Sequence, residues 1–248
     1  MRALTVALRT VQVLYDELFL MVWLSILWWL GALPMLLIVS TGAQIGLSTV
    51  AGAPTGSGTA LVLFVALVLG VGIGGVFCAM ATGGLHRVAN RLANYRRVDS
   101  SFFWEGATTQ VRRSWALLAL EILLVAALLF NIVFYLSSPA QWMRVIGMAW
   151  IWVLLLGIMA IQYTFALFWQ QDEPSLRLVA RNALVLTLQH PLYTFTLLLI
   201  QLMWVAIAAV TVLPFFLLLP AALAVTANVG LVTLLQEKGL APPPPPGV

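Results

Sequence analysis

Long apolar runs separated by short polar breaks dominate the chain. The run Leu18–Val39 is long enough to cross about 30 Å of hydrocarbon as a helix, and Pro34 is expected to kink its outer half. The stretch STGAQIGLSTVAGAPTGSGT that follows has no charge and is rich in Gly, Ser and Thr, which predicts a loop. Further spans are predicted at 60–81, 115–136, 145–169 and 191–212. After a turn near Pro214 a sixth runs to Leu235, and APPPPPGV (241–248) reads as a disordered polyproline tail. The fold expected is all-α: a single integral-membrane domain over 1–240 with about six transmembrane helices.

Two segments between the spans carry a helical period. In LHRVANRLANYRR, Leu85, Val88, Leu92 and Tyr95 form one stripe, and His86, Arg87, Asn90, Arg91, Asn94 and Arg97 fill the opposite face. This predicts an amphipathic helix that leaves the second span and lies on the membrane surface. Asp99, Ser100 and Ser101 suit a helix cap, and the next helix brings Phe102, Phe103 and Trp104, then Arg112 and Arg113. In QDEPSLRLVARNALVLTLQHP, Asp172 and Pro174 mark a helix start. Leu176, Val179 and Ala183 share a stripe there, with Arg177 and Arg181 on another face. The two basic elements are expected side by side, as a lipid anchor or as a docking surface for a protein partner.

Composition strengthens the membrane reading. Hydrophobic residues make up 62% of the 248 and charged residues only 8%, against about 25% in a typical soluble domain. The net charge of +4 needs no nucleic-acid partner, because topology explains where it sits. Six spans put both ends on one side, where eleven of the twelve Lys and Arg fall; Arg144 alone lies on the other. Basic residues stay in the cytoplasm during insertion, so both termini are expected to be cytoplasmic. Arg9, Asp16 and Glu17 interrupt the N-terminus, which therefore reads as part of the chain and not as a cleaved leader.

Candidate chemistry is sparse. Cys78 is the only cysteine, which excludes an internal disulfide and a thiolate cluster. Gly70, Gly72 and Gly75 have dinucleotide-type spacing but lie inside a span with no preceding strand. Gly70 and Gly74 fit close helix packing instead, within the chain or between copies. His86 and His190 are isolated, and no nucleophile elbow, P-loop or carboxylate pair appears. The chain reads as a non-enzyme with no cofactor or metal. Glu121 is the one acidic residue well inside a predicted span. Such a carboxylate is a functional candidate by default; the alternatives are pairing with Arg112 or Arg113, or staying protonated. Asn131, Gln162, Gln201 and Asn228 are further polar span residues that could line a path or join helices.

LSILWWLGALPMLLI, FFWEGATTQVRRSWALL, FALFWQQDEPSLRLVARNALVLTLQHP and LPAALAVTANVGLVTLL together resemble the YesL family of bacterial integral membrane proteins. Leu33-Pro34 ends a Trp/Leu-rich first span, Phe102, Phe103, Arg112 and Arg113 lead into a later one, and Pro220-Ala221 opens the last. The resemblance implies a multi-pass protein of the bacterial cytoplasmic membrane, accessory to a carbohydrate importer of the ATP-binding-cassette type and docking on its permease subunits. A small stand-alone transporter or channel acting through Glu121 and the span amides is the alternative.

Overall fold

The computed structural model describes residues 2–52, 56–171 and 175–243. The first helices are α1 (Arg2–Asp16), α2 (Leu18–Gly52) and α3 (Gly56–Leu69). A π-helical turn, Gly70–Gly74, leads into α4 (Gly75–Ala93), and α5 (Ser100–Thr109), α6 (Val111–Leu136) and α7 (Gln141–Gln170) follow. The chain ends with α8 (Leu176–Gln189), α9 (Pro191–Thr211), α10 (Leu213–Leu217) and α11 (Leu219–Glu237). Six helices are long and apolar enough to cross a membrane: α2, the continuous α3–α4 rod, α6, α7, α9 and α11. The protein is a multi-pass helical membrane protein, and the described residues contain no strand.

The helices fall into three units with one plan, a short amphipathic helix followed by two spans. The units are α1 with α2 and α3–α4, α5 with α6 and α7, and α8 with α9 and α11. A single polar residue joins each short helix to its first span: Glu17, Gln110 and His190. Each short helix packs on the second span of the preceding unit: α5 on α4, α8 on α7, and α1 on α11, which closes a ring. The second spans α4, α7 and α11 touch one another and form the inner layer. Within each unit an indole or carboxyl group on the first span meets a threonine on the second. Trp28 Nε1 donates to Thr82 Oγ1 (3.0 Å), Thr164 bonds Glu121, and Trp204 Nε1 donates to Thr226 Oγ1 (3.2 Å). A polar pair in hydrocarbon holds two helices together because neither group finds water there.

Burial follows from this ring. The most apolar window of α11 is 78% buried, whereas outer spans leave leucines and phenylalanines on their rims. Lipid solvates those rims as well as protein would. In α1, Val6, Thr10 and Leu14 face the core at helical spacing, and Leu4, Leu8, Val11 and Tyr15 stay exposed on another face. Arg9 closes the ring at this end: it donates to the Ala93 carbonyl (2.7 Å) and lies 3.9 Å from the centre of the Tyr95 ring. Burial lowers the pKa of its guanidinium from the ordinary value.

Several sequence expectations change. The predicted Gly/Ser/Thr loop is helical to Gly52 and again from Gly56, and 53–55 lie outside the described residues. The small residues serve close packing: a Cβ on Gly42 would strike the Ala66 side chain of α3. No element was foreseen at α1, whose apolar faces lie too close to Arg9, Asp16 and Glu17 to look like a span.

The segment 85–95 is no surface helix. Residues 85–93 are the end of α4, Asn94 and Tyr95 follow it, and the helix packs against α5, α7 and α11. Nor does α8 lie beside it. Val179, Ala183 and Leu186 bury α8 against α7, with α9 adjoining. The start marked by Asp172 and Pro174, like most of the proline tail (244–248), lies outside the described residues.

The remaining boundaries follow the sequence closely. The break near Pro214 is α10, preceded by Val212 at φ 53°, a strained value for a β-branched residue. Asp99 caps α5 as expected, accepting from the Ser101 N–H (2.7 Å). Hydrogen bonds from Ser101 hold its carboxyl below the ordinary pKa.

Candidate functional site

All six spans contribute to one cavity of about 470 Å³. Its walls are mainly apolar: Trp28, Trp29 and Met35 of α2, Ile161 and Phe165 of α7, and Leu223 of α11. The polar groups among them are Glu121 of α6, His86 and Thr82 of α4, Gln162 of α7 and Gln201 of α9. Trp28, Glu121 and Gln201 hold matching places in the three units, each eleven residues beyond its connector (17 to 28, 110 to 121, 190 to 201). The fold therefore turns the same position of each first span towards a common space.

Glu121 lies roughly 15 Å along α6 from Val111, at 1.5 Å per residue. That is near the middle of a 26-residue helix, deeper than counting from Trp115 suggests. It is not paired with Arg112 or Arg113, which are exposed at the start of α6. Its partner is the Thr164 hydroxyl, which also lies 2.6 Å from the Ile161 carbonyl. A hydroxyl has one proton to give. With Glu121 protonated, the carboxyl can donate to Thr164 while Thr164 donates to Ile161. With Glu121 ionised, Thr164 turns its proton to the carboxylate. Both charge states thus find a bonded arrangement without moving a helix.

His86 has a defined tautomer. Asn228 Nδ2 donates to the Ala224 carbonyl (2.8 Å), so the NH₂ group occupies that side of the amide. Its second hydrogen points to His86 Nδ1 at 3.1 Å. Nδ1 must accept, which leaves a neutral imidazole with its proton on Nε2. Phe165 lies against the ring, with centroids 5.3 Å apart. Gln162 Nε2 donates to the Met159 (2.9 Å) and Thr194 (3.1 Å) carbonyls, while its enclosed Oε1 has no partner among the described residues.

A second, polar pocket of about 420 Å³ sits at the basic end of the bundle. Arg87 Nη2 meets Glu105 Oε1 at 2.6 Å, and its guanidinium lies 5.1 Å from the centre of the Trp169 ring. Gln170 Oε1 accepts from Asn90 (2.9 Å) and Asn94 (3.2 Å). These contacts absorb most of the polar face that the sequence had turned to the membrane surface.

The other arginines divide. Arg91 lies 3.6 Å from the centre of the Phe102 ring and donates to the Arg97 carbonyl. Arg96, Arg97, Arg112, Arg113, Arg177 and Arg181 are exposed, and none forms an ion pair among the described residues. Trp104 is also exposed, its ring nearly perpendicular to that of Phe103.

Gly70 and Gly74 are filled from within. A Cβ on Gly74 would lie 2.5 Å from Met35 Cα and 2.9 Å from the Pro34 carbonyl carbon. Of the two expectations for these glycines, packing within the chain is the one seen, because α2 of the same chain occupies their face. Trp115 Nε1 donates to Val71 O (2.9 Å) within the π-turn.

Among the described residues no group of three His, Cys, Asp or Glu could hold a metal ion. Sequence reasoning found Glu121 and named Gln162, Gln201 and Asn228, but it placed His86 on an outer polar face and missed the aromatic walls. Comparison of the chain with protein-family models, curated proteins and solved structures finds no match.

Proposed function

We propose that the protein is a small-solute carrier or channel whose binding site is the central cavity. The observation that carries this reading is the convergence of all six spans on one space lined by Glu121. A mainly apolar cavity with a few convergent polar groups is the usual form of a ligand site. An acidic residue in a span is retained against its desolvation cost when it has work to do. Reconstituted in liposomes, the wild-type protein should carry solute or protons across the membrane. Glu121→Gln should reduce that flux at least tenfold while melting within a few degrees of wild type in detergent. Equal flux through both proteins would remove Glu121 from the function.

A second reading is favoured by the exposed arginines without ion pairs. With the resemblance to the YesL family, they support an accessory role in which the basic end faces the cytoplasm and docks on a carbohydrate permease or another membrane partner. Buried Cys78 gives a low labelling background, so a cysteine at Arg97 can report both points. Arg97→Cys should resist an impermeant maleimide in intact cells and react once the membrane is opened. It should react more slowly in native membranes than in pure protein if a partner covers it. Labelling from outside would reverse the orientation, and equal rates would leave this surface uncovered.

A further inference from the structure

We propose that the cavity selects an organic cation, an apolar body with one positive group that takes the place of a proton on Glu121. This rests on the cavity being the binding site and adds the class of ligand.

Charge is the first ground. Among the described residues Glu121 is the only acidic one on the walls, and no Lys or Arg lines them. His86 is held neutral, since Asn228 donates to its Nδ1 and the Ala224 carbonyl fixes the orientation of that amide. Cys78 and His86 of α4 are the other titratable groups lining the space, and α2, α7, α9 and α11 add none. An ionised Glu121 therefore has Thr164 to bond it but no cation to neutralise it. A positive ligand would supply that missing charge; an anionic one would meet only repulsion.

The walls are the second ground. Trp28 and Trp29 stand edge to face, with centroids 5.1 Å apart, and Phe165 of α7 also lines the space. Aromatic faces attract cations most strongly where water is excluded. Apart from Thr82, His86, Gln162 and Gln201, the remaining surface is aliphatic, which suits an apolar body that carries few polar groups. A hydrated metal ion would need several oxygen ligands, and the cavity offers one carboxylate.

The exchange balances simply. A permanent cation enters, the Glu121 O–H bond breaks, and one proton leaves to water. A neutral amine instead takes that proton to become the ammonium partner, with none released. In both cases the Thr164 hydroxyl turns from Ile161 O to the carboxylate.

Equilibrium dialysis of the detergent-solubilised full chain with tetraphenylphosphonium and tetraphenylborate tests this, since the two ions share size and shape and differ in charge. The phosphonium should bind and the borate should not. Where Glu121 holds its proton, phosphonium affinity should fall about tenfold per unit drop in pH, the sign of one proton displaced. Glu121→Gln should lose the pH dependence and at least tenfold in affinity; Glu121→Asp should keep both in weaker form. A matching melting temperature for each variant shows that it is folded. If both ions bind and Glu121→Gln changes nothing, or if the borate alone binds, the cation class is wrong and the cavity survives as a site of another selectivity. If neither ion binds the wild type, the cavity reading fails with it.

Discussion

Gly74→Leu should prevent stable assembly of the bundle, whereas Gly72→Ala, two residues away, should be nearly silent. The contrast comes from what a new side chain would meet. At Gly74 even a Cβ would press on the backbone of Met35 and Pro34 in α2. Backbone cannot rotate aside as a side-chain tip can, so the π-turn and α2 would have to separate. Overpacking typically costs about 1–3 kcal/mol, and a clash with backbone belongs at the upper end or beyond. Separating these helices would also disturb Trp28, Trp29 and Met35, which form one wall of the cavity. At Gly72 nothing lies within 4 Å of the added atom, and alanine is the better helix former by up to about 1 kcal/mol. Thermal melting in one detergent, with the yield of monodisperse protein, separates the outcomes. Equal stability of the two variants would mean that α2 and the π-turn are not in this close contact.

The repeated plan predicts a rescue. Glu121→Gln should lose cation binding, and adding Gln201→Glu should restore part of it. Gln201 occupies the place in α9 that Glu121 occupies in α6, and both line the same space. If the site needs one carboxylate among apolar walls, its position around the cavity should matter less than its presence. Recovery should be partial, with the pH dependence that Glu121→Gln lost restored, because the new carboxylate lacks the Thr164 hydroxyl and forgoes a hydrogen bond worth about 1.5–3 kcal/mol to a charged group, roughly a 10- to 150-fold factor in affinity. Phosphonium dialysis on the single and double variants measures this. A double variant as inactive as Glu121→Gln would show that the α6 site alone is competent.

The three-unit plan could have been sought in the chain. Its trace is a polar residue ending an amphipathic stretch and, eleven positions on, Trp28, Glu121 or Gln201. It escaped because the units begin at Arg2, Ser100 and Leu176, with unequal spacing. The first spans also differ in length, 35 residues in α2 against 21 in α9, so no fixed period repeats along the sequence.

The sequence by itself determined the class of the protein, the number of spans and the gathering of charge at one end. Those properties depend on local apolar length and on where ionisable groups can be solvated, and both can be read along a line. It also marked Glu121, since a carboxylate within an apolar run is conspicuous without any partner. Tertiary structure alone decided where the polar face of 85–95 goes. Sequence reading assumed that a polar helix face meets water. Here it meets polar groups on other helices: Asn90 finds Gln170 across 80 residues, and His86 finds Asn228 across 142. The pattern of one helix says only that a face needs polar neighbours. Whether these come from solvent or from the chain depends on which helices the ring brings alongside, and that is set by packing among all six spans.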